Sequence, residues 1–116
     1  MVSSTHANQI YLKRLMRKGN KVPKKKETLF KEKVQDDLRK IPNCWFVKVQ
    51  QVSVRGTPDI LACVNGVFVA IELKTETGKL EELQEYNLRK IQDARGIAFV
   101  IIPGTWRYHL EVLLAL

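Results

Sequence analysis

Apolar and polar positions alternate along this chain with two different periods. Over residues 24–40 the apolar side chains Phe30, Val34, Leu38 and Ile41 recur at spacings of four, four and three, one face of an α-helix. Pro42-Asn43 ends that helix. Residues 44–50 (Cys-Trp-Phe-Val-Lys-Val-Gln) read as a strand. Two further β-rich runs, 59–64 and 67–74, are split only by Asn65-Gly66, the dipeptide that favours a two-residue type I′ hairpin turn. Helical period returns over 80–95, with Glu81 and Glu82 near the start, Lys90 and Arg95 near the end, and Gly96 just past it. A fully apolar strand, 97–102, stops at Pro103-Gly104, and 105–116 predicts a short helix packing onto the domain. The order is helix, three strands, helix, strand. Runs 59–64 and 67–74 are apolar at nearly every position, so both faces of the sheet are expected to be covered. The fold class is α/β, a mixed α+β sheet with helices packed against it.

Residues 1–22 read as a separate segment, an arm or helix ahead of a domain spanning 23–116. Ile10, Tyr11, Leu15 and Met16 make an amphipathic stripe there that runs into Gly19-Asn20. With 116 residues, 45% hydrophobic and 28% charged, the chain is one ordinary domain and not a wholly disordered one. No apolar run approaches the roughly 20 residues of a membrane helix, and the polar first nine residues show no signal peptide. Cys44 and Cys63 both lie in apolar runs and read as reduced core residues of an intracellular protein, so the expected compartment is the cytoplasm.

Charge separates the two parts of the chain. The first 40 residues carry 12 basic and 4 acidic side chains, and the remaining 76 carry 8 of each. Lys13, Arg14, Arg17, Lys18, Lys21, Lys24, Lys25 and Lys26 follow one another with no acid between. A basic end on a neutral body suits a polyanion such as DNA, and equally a solvated basic tail.

The Asn65-Gly66 turn also sets a register. With those two residues in the turn, Val64 faces Val67, and counting outward brings Asp59 opposite Glu72, on one face of the hairpin. Directly opposed Cβ atoms lie about 4.5–5.5 Å apart. Lys74, two residues beyond Glu72, shares that face. Two facing carboxylates repel, and a divalent cation such as Mg²⁺ resolves the conflict. The alternative is that the acids flare into solvent at the strand ends and Lys74 makes a surface ion pair.

Gly56-Thr57-Pro58-Asp59, followed after twelve residues by Glu72-Leu73-Lys74, resembles the signature of the PD-(D/E)XK nuclease superfamily. The Gly-x-Pro-Asp form and the later Gln84 resemble its VRR-NUC branch, especially the small standalone proteins of phages and bacteria. The resemblance covers roughly residues 27–102. It implies a restriction-endonuclease-like αβββαβ core, a bound Mg²⁺ (or Mn²⁺) and phosphodiester hydrolysis. It also implies structure-specific endonucleolytic cutting of branched DNA, including Holliday-junction resolution by a homodimer. Carried over by residue, Asp59 and Glu72 would bind the metal through their side chains and Leu73 through its carbonyl. Lys74 would orient or help deprotonate the attacking water and stabilise the transition state.

The family also places an acid on the first helix. With Phe30 at zero on a wheel of about 100° per residue, Val34, Leu38 and Ile41 fall between roughly 20° and 80°. Glu27 falls at about 60°, inside the stripe, Glu32 at about 200°, and Asp37 at about −20°. Glu27 is therefore the chosen acid and Asp37 a third candidate; Glu27 also suits the helix dipole. Gln84 lies within the stripe of Leu80, Leu83, Leu88 and Ile91. Either it contacts the lysine, the water or a phosphate, or it sits half in water at the stripe's edge. Lys48 either reaches a phosphate or is solvated, and Ser53, Arg55 and Thr57 stand before Asp59 where they could touch the DNA backbone. Trp106 and Tyr108 flank Arg107, as a base-stacking surface or as an apolar anchor.

His6 and His109 have no ligand-spaced partners, and no Walker loop, Cys-x-x-Cys pair or Ser-His-Asp order is present, so no organic cofactor is expected. Two other readings compete with a nuclease of branched DNA. One is a non-catalytic basic DNA-binding protein on the same fold, and the other a small restriction-type duplex nuclease.

Overall fold

The computed structural model describes residues 25–50 and 53–116. Helix α1 (Lys26–Arg39) buries Val34 and Leu38 completely, with Ile41 buried just beyond its end. Asn43 turns the chain with a positive φ of 55° into strand β1 (Cys44–Lys48). Strands β2 (Ile60–Val64) and β3 (Val67–Leu73) form the hairpin. Asn65 and Gly66 have φ of 49° and 85°, both positive as a type I′ turn requires. Pairing runs from Val64 with Val67 to Ile60 with Ile71, the register that the turn predicts. Helix α2 (Glu82–Asp93) then leads into strand β4 (Ile97–Ile101), and a 3₁₀ turn (Pro103–Thr105) into helix α3 (Trp106–Leu114).

The four strands lie in the order β1-β2-β3-β4, the first two pairings antiparallel and the last parallel. A mixed sheet with three helices is the architecture that the periodicities predict, with element ends shifted by a residue or two. Val34, Leu38 and Ile41 from the α1 side and Trp106 and Leu113 from α3 close over one sheet face, where Ile60, Ala62, Val64, Val69, Ile71, Leu73 and Ile101 complete the core. The Trp106 indole N–H donates to Asp37 Oδ2 at 2.8 Å and ties α1 to α3. That bond holds the Asp37 carboxyl below the usual carboxylate range.

The opposite face departs from expectation. Helix α2 covers it only in part, leaving Trp45 66% and Phe68 45% exposed and Cys63 at the surface. Cys44 is half-buried against the core, so of the two cysteines only Cys44 contributes to it. Leu83, expected in the buried stripe of α2, is 46% exposed, and Leu88 is the buried residue of that helix. An apolar run signals a strand but does not say how many of its faces a neighbour covers. Among the described residues, no helix is long and apolar enough to cross a membrane.

Candidate active site

Three elements converge at the C-terminal end of β3. Asp59 stands one residue before β2, and its carbonyl accepts a hydrogen bond from Val49 N–H at 2.8 Å. Asp59 Oδ2 accepts another from Leu73 N–H at 2.8 Å. Glu72, in the last turn of the pleat, is 3% exposed and is the buried charged residue among those described. Its Oε1 accepts from Gln84 Nε2 at 3.2 Å, whereas Oε2 is buried with no partner. A carboxylate oxygen stripped of water and left unpaired is costly. Burial pushes the Glu72 carboxyl up to about 8; the charge on Asp59, and a hydrogen bond between the two carboxyls once one is protonated, add to the rise, and Lys74 and Lys31 oppose it.

Lys74 follows β3 directly, and its N–H donates to the Ile101 carbonyl at 3.0 Å, which anchors it at the end of β4. Asp59, Glu72, Leu73, Lys74, Gln84 and Glu27 all line one cleft of about 290 Å³. Glu27 enters from the first turn of α1, 55% exposed and ion-paired with Lys31 at 3.2 Å. Asp37, the third candidate acid, does not line the cleft; it is taken by Trp106 and by Lys33 at 3.3 Å. Gln84 has a different partner from those expected. It holds Glu72 with one end, and its Oε1 accepts the Glu81 N–H at 3.0 Å at the start of α2.

The loop before Asp59 is clamped onto α2. Gly56 has a φ of +78°, and a Cβ there would lie 2.7 Å from the Leu83 backbone carbon and oxygen. Asn87 Nδ2 donates to the Arg55 carbonyl at 2.9 Å, and Thr57 Oγ1 donates to the Val54 carbonyl at 2.7 Å. The glycine of Gly-x-Pro-Asp thus permits the close approach that fixes Asp59 opposite Glu72. Lys48, Ser53, Arg55 and Thr57 stand outside the cleft walls. Lys25 precedes α1 and Lys26 opens it, beside the cleft, while Lys13, Arg14, Arg17, Lys18, Lys21 and Lys24 lie outside the described residues.

Sequence reasoning missed Lys31 and Lys79, which also line the cleft. For Lys31 a signal existed: it follows Glu27 by four residues on the helix, a spacing that pairs the two side chains. Lys79 lies in the loop between β3 and α2, where spacing carries no such information.

Among the described residues, no group of three His, Cys, Asp or Glu side chains gathers as a metal site. Two facing carboxylates, one with an unpartnered buried oxygen, do not suit Zn²⁺, whose sites are built mainly on His nitrogen and Cys sulfur. They suit Mg²⁺, which accepts one or two carboxylates and completes its shell with water and substrate phosphate. No family model, curated protein or solved structure matches the chain.

Proposed function

We propose that this chain is a Mg²⁺-dependent deoxyribonuclease of the VRR-NUC type that hydrolyses phosphodiester bonds in branched DNA. The observation that carries the reading is Glu72, a buried carboxyl with an orphaned oxygen opposite Asp59 and beside Lys74. Asp59, Glu72 and the Leu73 carbonyl would hold Mg²⁺, with Mn²⁺ as a substitute. When bound, the metal supplies a water of lowered pKa and polarises the scissile phosphate. Lys74 orients that water and stabilises the charge gathering on the phosphoryl oxygens. Gln84 keeps Glu72 from turning away, and Lys31 and Lys79 place positive charge where neighbouring phosphates approach. The basic residues 13–26 track phosphates without reading bases. Preference for a junction, endonucleolytic cutting and a homodimer follow from the family resemblance, and a twofold dimer fits a twofold junction.

The test is cleavage of labelled four-way junction, flap, duplex and single-stranded DNA with Mg²⁺, with Mn²⁺ and with chelator. Glu72→Ala and Lys74→Ala are run alongside. Paired metal-dependent nicks in the junction, absent from both variants, are the expected result. Cutting confined to another substrate retains the chemistry and removes the junction preference. Tight DNA binding without cutting under any metal leaves a basic DNA-binding protein in its place.

A further inference from the structure

Beside the carboxylate cleft lies a larger hollow of about 640 Å³. Leu29 and Phe30 of α1 and Pro103 after β4 form its apolar walls, and Thr75, Glu76 and Thr77 form the side made by the loop after β3. Lys26 and Lys33 line it as well. Glu27 and Thr75 line both this hollow and the carboxylate cleft, so the two share a wall. Its size falls within the range of about 300–1,000 Å³ for ligand sites. Leu29 is half-exposed here, on the side of α1 that it shares with Lys26 and Lys33 and away from the core residues Val34 and Leu38.

We propose that this hollow receives one unpaired nucleobase, next to the phosphate held in the carboxylate cleft. The inference rests on the nuclease reading and adds a feature to its substrate: a nucleotide that unpairs beside the cut, at the branch point of a junction or at the base of a flap. Shape and chemistry agree with this occupant. An aromatic ring, a leucine and a proline match the flat apolar faces of a base, and threonine hydroxyls match its polar edge. The two lining acids, Glu27 and Glu76, balance the two lining cations, Lys26 and Lys33, so the hollow offers a phosphate no net attraction, whereas Glu76 can accept a hydrogen bond from a base amino group. The phosphates on either side of that base then meet positive charge, Lys26 in the lining of the hollow and Lys31 and Lys79 in the cleft. A base in a closed duplex is stacked and paired and cannot enter without being extruded, so a nucleotide already unpaired at a branch or flap enters at lower cost.

The test uses the full chain and a flap DNA carrying 2-aminopurine at successive unpaired positions, in chelator so that nothing is cut. A change in 2-aminopurine fluorescence at one position on binding is expected. Thr77→Trp, which fills the hollow from an exposed loop outside the carboxylate cleft, should abolish that change. An abasic nucleotide at the same position should weaken binding to the wild-type chain about tenfold, the effect of losing one base contact. It should weaken binding to Thr77→Trp no further. Unchanged fluorescence at every position means that no base enters the hollow, and overturns the inference. So does an abasic nucleotide that costs nothing. If Mg²⁺ then supports cutting while these results are negative, the nuclease reading stands and the base site falls. If no metal supports cutting while they are positive, the base site stands and the nuclease reading falls.

Discussion

Glu72 is where the physical conflict in this molecule is concentrated. Its carboxyl, raised to about 8 from an ordinary value of 4.5, binds a proton more tightly in the fold than in the unfolded chain. The stability that this proton contributes is full below about pH 4.5 and is lost as pH rises through about 8. Without metal, the melting midpoint should therefore fall by roughly 10–20 °C between pH 5 and pH 8.5. Glu72→Gln should flatten that fall, and Mg²⁺ at pH 8.5 should recover it in the wild-type chain alone. A wild-type and a Glu72→Gln profile of equal slope would show that Glu72 is an ordinary carboxylate. Gln84 acts through Glu72 and is a positioning residue. Gln84→Ala should raise the Mg²⁺ concentration needed for half-maximal cleavage about tenfold, the usual effect of losing a partner behind a metal ligand. A helix-end role alone would lower the melting temperature and leave that Mg²⁺ midpoint in place. Asp59, Glu72 and Lys74 were legible in the sequence because a two-residue turn and the period of a strand fix them by counting. The Gln84–Glu72 hydrogen bond was not, because its geometry depends on how α2 lies across the sheet.

At the scale of elements, the site is held by a loop pressed against a helix. Gly56 sits where any Cβ would collide with the Leu83 backbone, at a φ that L residues rarely adopt. Gly56→Ala should destabilise the protein by about 2–4 kcal/mol, from both strain and collision. Urea unfolding measures this directly, and a loss below half a kcal/mol would mean that the loop moves freely off α2. The helix α1 stripe was readable from its spacing, and Val34 and Leu38 are fully buried as that spacing requires. Leu83 in α2 was misread because, at about 100° per residue, it lies roughly 140° around the helix from the buried Leu88, on the side that meets the Gly56 loop.

For the whole molecule, charge is divided between the first 40 residues and a neutral remainder. DNA affinity should fall steeply with salt, with a slope of about −0.9 per phosphate neutralised on duplex arms. Replacing Lys13, Arg14, Arg17, Lys18, Lys21 and Lys24 with Gln should make that slope shallower while leaving the metal dependence of cutting unchanged. Titrations at several salt concentrations decide this, and an unaltered slope would place the phosphate contacts on the folded body. What the sequence determined by itself was local or countable: helical stripes, the Asn65-Gly66 turn, strand register, and hence the facing pair Asp59 and Glu72. What the tertiary structure decided was which surfaces other elements cover. It left Trp45, Cys63 and Phe68 open, joined Asp37 to Trp106, brought Lys31 and Lys79 to the carboxylates, and opened a hollow beside them. Spacing along a chain fixes which side chains share a face, but burial and partnership depend on residues far away in sequence, and these meet only when the elements pack.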